Sequence, residues 1–142
     1  MEYGDLACDT TSAKSLSLRQ MGDGVKRVLS LLTAFYAKPY PLLVLLDNID
    51  AGLHPITQRK LIEVFRSLQK DLPELQIIAT TNSPYMLEAV KPEEVRVLAL
   101  DAKGATHCAA LTQHPHFEKW KDEFHAGEMW SFFGEQWVVD VA

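Results

Sequence analysis

The sequence predicts an α/β fold with a mainly parallel sheet, and three observations carry that prediction. Short apolar runs at residues 42–46, 76–81 and 95–100 alternate with segments of helical periodicity. The first run is apolar at every position, which suits a strand buried on both faces. Polar residues follow the first run at Asp47-Asn48 and close the second at Thr80-Thr81, and prolines that fit a first helical turn come nine and three residues later, at Pro55 and Pro84.

Taken in order, residues 1–17 are polar and read as irregular. A turn at Gly22-Asp23-Gly24 then opens a helix whose apolar positions are Val25, Val28, Leu29, Leu32 and Phe35. Asp23 is the expected N-cap, since its carboxylate can accept from the free amides of a first turn. Lys38-Pro39 should end that helix, because proline cannot continue it. After the first strand, Pro55 begins a second helix with the stripe Leu61, Ile62, Phe65 and Leu68, ending before "DLPEL". "QIIATT" reads as a second buried strand, and Ser83-Pro84 starts a short helix through Met86, Leu87 and Val90. "VRVLAL" is a third strand, "DAKG" a turn, and "ATHCAAL" a fourth strand closing a hairpin at the sheet edge.

The 142 residues make one domain's worth of chain, and the division expected is a lobe over residues 1–112 with an aromatic-rich tail over 113–142. A net charge of -5 argues against a dedicated nucleic-acid surface, leaving contact with nucleic acid only through an assembly. Cys8 and Cys108 are too far apart in sequence to suggest a disulfide framework or a metal-ligand spacing. No signal-peptide pattern opens the chain, and its apolar runs are too short to cross a bilayer, so a cytoplasmic location without membrane contact is expected.

Chemistry in an open parallel sheet gathers beyond the carboxyl ends of its strands. Here those ends read "LLDNIDAGLHP" and "ATTNSP", each leading into a helix start whose free amides favour anions. An aspartate fixed at a strand end, Asp47, could hold Mg²⁺ directly or through water. Asp47 and Asp50 could equally do no more than cap the turn before Pro55.

Three segments taken together narrow the choice. "QMGDGVKRVLSLL", "LLVLLDNIDAGLHP" and "QIIATTNSP" resemble, in order and spacing, three successive motifs of ABC-type ATPases, most closely the SMC- and RecF-like AAA ATPases. The resemblance runs from about Leu16 to Leu111. It implies a P-loop NTPase-like three-layer lobe and makes ATP and Mg²⁺ the expected ligands. Gln20, Gly22, Asp23 and Gly24 then correspond to the signature motif, and Asp47 to the Walker B aspartate that serves magnesium.

The same resemblance exposes departures. Asn48 stands where the family places a water-activating carboxylate, and an amide cannot accept a proton as a base does. Asn82 stands at the switch-histidine position, and Gln20 at the signature serine. No Gly-x-x-x-x-Gly-Lys-Ser/Thr occurs in the sequence, so the chain carries no phosphate-cradling P-loop, and the resemblance implies that it also lacks the strand preceding one. If the family's strand order holds, "QIIATT" and "VRVLAL" must close on each other or accept a strand from elsewhere. Two readings follow: a component sharing a nucleotide site with a P-loop-containing chain in a homo- or hetero-oligomer, or a non-hydrolysing scaffold.

Two further features lie outside these motifs. His114, His116 and His125 read as a polar surface rather than a metal cluster, and His54 has no catalytic role. In the tail, Gly-Glu-x-Trp recurs at Gly127 and Gly134, which on one helix would align Trp130 and Trp137 with Phe133 between them. Those rings either pack on the domain's own core or dock a partner.

Overall fold

The computed structural model describes residues 17–141; the irregular segment expected over residues 1–17 and Cys8 lie, but for Ser17, outside them. The chain runs through α1 (Asp23–Tyr36), β1 (Leu43–Leu46), α2 (Pro55–Asp71), β2 (Gln76–Ala79) and α3 (Pro84–Leu87). It continues through β3 (Arg96–Leu100), β4 (Thr106–Ala110), α4 (Phe117–Trp120), α5 (Ala126–Phe133) and α6 (Trp137–Val141).

The expected helix starts are present, with one change of role. Pro55 occupies the first turn of α2, and the His54 ring accepts from the Ile56 amide as the N-cap. Pro84 likewise begins α3. Asp23, however, is not the cap of α1: Gly22 holds that position, and Asp23 sits inside the first turn, where it pairs with Lys26 at 3.1 Å. An acid there still favours the positive end of the helix.

The strands form two separate pairs. β1 and β2 are parallel, with Leu43 opposite Gln76 and Leu46 opposite Ala79. β3 and β4 are antiparallel, with Arg96 opposite Ala110 and Leu100 opposite Thr106. β2 and β3 do not pair with each other, so the alternative that they close the sheet is not what the chain adopts.

Neither β1 nor β2 is buried on both faces as expected. Val44 is buried beneath α1 and α2, but Leu43 and Leu45 are exposed, Leu45 to 67%. Most of β2 is open as well, with Ile78 exposed to 57%. An apolar run shows that both faces shun water; it does not show that the cover lies among the described residues.

Two cores result. The first joins Phe35, Val44, Ile49, Leu61, Phe65, Leu68 and Met86, and its Phe35 and Phe65 rings lie 5.2 Å apart. The second places α5 and α6 against the hairpin, burying Val97, Ala99, Met129, Trp137 and Val138. α3 touches both: Met86 belongs to the first, while Leu87, with Val90 just beyond the helix, packs on the second. Ion pairs Arg59–Glu88 and Arg66–Glu94 also tie α2 to the chain entering β3. Hydrogen bonding and charge from Arg66 hold the Glu94 carboxyl below its usual range.

The tail is not one helix. Gly134 adopts a left-handed φ of 63° and ends α5, and α6 begins at Trp137. Trp130 and Trp137 therefore do not share a helical stripe; the Trp137 ring NH instead donates to the Gly134 carbonyl at 3.0 Å. His114 is also not a surface residue. It is 8% exposed, stacked 4.3 Å from Phe133 and edge-on to Trp137, and burial lowers its pKa. His116, next to it, is exposed.

Candidate functional site

Parallel pairing brings the exits of β1 and β2 together at one end of the sheet. Beyond the last paired residues, the Thr80 amide donates to the Leu46 carbonyl and the Ile49 amide to the Thr80 carbonyl. The Thr80 hydroxyl donates to Asp47 Oδ1 at 2.5 Å and accepts from the Asn48 amide at 2.8 Å. One side chain thus orients the carboxylate and fixes the turn that follows it.

That turn runs through Asn48, whose φ of 49° lies in the left-handed region. Asn tolerates this conformation better than most residues because its short side chain can bond locally. Arg27 of α1 reinforces it, donating to the Asp47 carbonyl at 2.8 Å and to the Asn48 carbonyl at 2.5 Å. Backbone acceptors that would otherwise face the loop are satisfied by a cation from the neighbouring helix. The Asp47 and Asn48 residues remain exposed.

A second web lies behind the first. The Thr81 hydroxyl donates to Asp50 Oδ1 at 2.5 Å and accepts from the Ser83 amide at 3.0 Å. Ser83 donates to the buried Gln58 side chain, whose amide nitrogen donates to the Leu53 carbonyl at 2.9 Å. Asn82, between these fixed neighbours, is exposed. The two strand exits are therefore stiff, and Asp47, Asn48 and Asn82 project from a common frame.

Of the four signature-like residues, Gly24 makes the close approach to this frame. A Cβ built on Gly24 would lie 2.7 Å from the Gly52 carbonyl oxygen, while one on Gly22 would meet nothing within 4 Å. The Gln20 side chain accepts from the Ser17 amide at 3.1 Å, and Asp23 is turned toward Lys26. The start of α1 thus leans on the turn after Asp50 without placing Gln20 or Asp23 against Asp47. Gly24→Ala is expected to lower stability by about 1–3 kcal/mol through overpacking. Gly22→Ala meets no clash and should cost no more than about 1 kcal/mol, the weaker preference of alanine for an N-cap. Urea denaturation of the two variants checks the contrast.

The donor set fits magnesium in a limited way. A single oriented, exposed carboxylate is what Mg²⁺ uses when its remaining ligands are water and substrate phosphates. A loop to cradle those phosphates is absent from the sequence. Sequence reasoning missed Arg27, Thr80 and Gln58 as parts of the site. The only available signal was a pair of cations, Lys26-Arg27, set into an otherwise apolar helical run.

Comparisons with known proteins bear on the family and the fold. A profile of the family described as "AAA domain, putative AbiEii toxin, Type IV TA system" matches residues 7–88. The Septu protein PtuA of Bacillus thuringiensis is 35% identical over 85 residues, covering 59% of this chain and 21% of that protein. A "Retron Ec83 probable ATPase" of Escherichia coli is 32% identical over 107 residues, covering 66% of this chain and 19% of the relative. The chain thus spans about a fifth of the length of these relatives. A solved structure from work on ATP-driven dimerization and DNA-stimulated activation of SMC ATPases superposes with a TM-score of 0.54. It is 20% identical, covering 78% of this chain and 67% of that one, and the likeness is one of fold.

Proposed function

Since the chain belongs to this AAA domain family and has its P-loop NTPase-like α/β fold, we propose that it contributes Asp47 and the start of α1 to an ATP site completed by a P-loop-bearing polypeptide. The observation that carries this reading is the incomplete sheet. Among the described residues, β1 and β2 pair only with each other, and so do β3 and β4. Each pair also leaves leucines or isoleucines uncovered, with Leu45, Ile78, Leu98 and Leu100 all more than half exposed. A strand and helix supplied to that surface would satisfy both the ladder groups and the apolar area.

ATP and Mg²⁺ would then meet this chain from one side. Asp47, held by Thr80, would serve the metal, and the amides opening α1 would face a phosphate across an oligomer interface. When bound, Mg²⁺ neutralises charge on the phosphates. Asn48 can position a water but cannot take its proton, and Asn82 offers a neutral amide where the family expects histidine. Hydrolysis is accordingly weak, in an assembly of the DNA-repair or phage-defence type. The scaffold reading draws on one specific observation, the left-handed Asn48, which seats asparagine more easily than glutamate.

Titration with MgATP separates the two. The chain alone should show no thermal shift. Combined with a P-loop polypeptide from a relative, it should gain about 2.7 kcal/mol at a hundredfold excess over Kd, and Asp47→Asn should remove most of that gain. No stabilisation of the combined assembly would leave the scaffold reading in place.

A further inference from the structure

Outside the strand exits, the second core carries a surface that the nucleotide reading does not use. Phe132, on α5, is 78% exposed, although the rings beside it are largely packed. Its ring lies 6.2 Å from that of Phe124 with the planes 26° apart, and Phe124 lies 5.3 Å from Trp120. The Lys119 ammonium sits 4.5 Å from the centre of the Trp120 ring. The three aromatics form a short ladder ending in an open face.

The charges around this ladder are one-sided. Residues 117–141 contain six acids and two lysines. Lys121 is taken by Glu118 at 2.7 Å, and Lys119 is engaged on Trp120. Asp122, Glu123 and Glu128 have no ion-pair partner among the described residues. Glu128 lies one helical turn before Phe132 on α5, and Glu123 precedes Phe124 directly. Carboxylates without an ion-pair partner therefore stand beside Phe132 and next in sequence to Phe124, with Glu128 also accepting from the His125 amide at 2.9 Å, while the Trp120 end carries Lys119.

We infer that the Phe132–Phe124–Trp120 ladder docks a basic polypeptide segment of a partner chain, one that sets an apolar or aromatic anchor between arginines or lysines. The sign of the rim selects this occupant. Nucleic acid and anionic lipid would bring negative charge onto Asp122, Glu123 and Glu128. A second copy in a two-fold contact would set the same acids against themselves. The chain's own residues 1–16 hold three acids and one lysine, so they do not complement the rim either. A cationic segment gains from the carboxylates, and its anchor buries the face of Phe132, the combination typical of interface hot spots.

The test is selection of a displayed random twelve-residue peptide library on the full chain, followed by affinity measurement on variants. Because Phe132 is exposed, Phe132→Ser should melt within about 3 °C of the parent, so lost binding cannot come from unfolding. The selected peptides should combine an aromatic or leucine with at least two Arg or Lys. They should bind Phe132→Ser at least tenfold more weakly. The double variant Glu123→Gln/Glu128→Gln should bind at least threefold more weakly and with a shallower salt dependence. Neutral or acidic selected peptides, peptides that bind Phe132→Ser as well as the parent, or no enrichment at all would overturn the proposal. So would a concentration-dependent dimer abolished by Phe132→Ser, which would make a second copy the occupant. None of these outcomes depends on MgATP.

Discussion

Gly127→Ala should destabilise the chain by about 2 kcal/mol, against the direction that helix propensity alone would give. Alanine in place of glycine within a helix gains up to about 1 kcal/mol. Here, however, a Cβ on Gly127 would overlap the Pro84 carbonyl oxygen and crowd Glu88 Cγ at 3.2 Å. The first of these is backbone at the start of α3 and cannot rotate away. Overpacking a fitted contact costs about 3 kcal/mol at its upper ordinary range, so the clash outweighs the propensity gain. With a urea slope of about 1.5 kcal/mol per molar, the midpoint should fall by more than 1 M. A rise in the midpoint would mean that α5 does not rest on α3 as described.

The second large effect concerns chemistry. In an assembly that binds MgATP, Asn48→Glu combined with Asn82→His should raise turnover by about 10²–10⁴, the usual contribution of a positioned general base. The gain is opposed by conformation, because glutamate at the Asn48 φ of 49° costs about 1–2 kcal/mol. The doubly substituted chain should therefore be somewhat less stable and considerably faster. Single-turnover measurement at saturating MgATP reads the rate, and denaturation reads the cost. Unchanged turnover with intact MgATP binding would place the block elsewhere in the assembly.

Much of the frame was legible in the sequence because local chemistry specifies it. The spacing from Val25 to Phe35 marks α1, and Pro55 and Pro84 mark the starts of two helices. The strand exits at Asp47 and at Thr80-Thr81 could be located because they are set by where an apolar run stops, whereas Asn82 was singled out by the family resemblance alone. What escaped depends on partners distant in sequence. Arg27 meets carbonyls twenty and twenty-one residues away, and no local pattern announces that. The apolar run at 42–46 tells how much surface avoids water, but not which chain supplies the cover. His114 looks polar in "QHPHF" and is buried only because Phe133 and Trp137 fold back over it. Gly134 looks like part of a repeat, yet its left-handed backbone turns the repeat into a break.

α3 is a single turn, yet it has a side chain in each of the two cores. The exposed arginine–glutamate pairs that also span them are each worth no more than about 1 kcal/mol. Cooperativity between the halves therefore rests largely on whether that turn is seated. While it is, heat or denaturant sees one unit; once it lifts, the hairpin with its aromatic tail and the helical half can open on separate schedules. The loop leading into this turn is the one that holds Asn82. A ligand that steadies that loop would raise the melting of the whole chain together, beyond the element it touches.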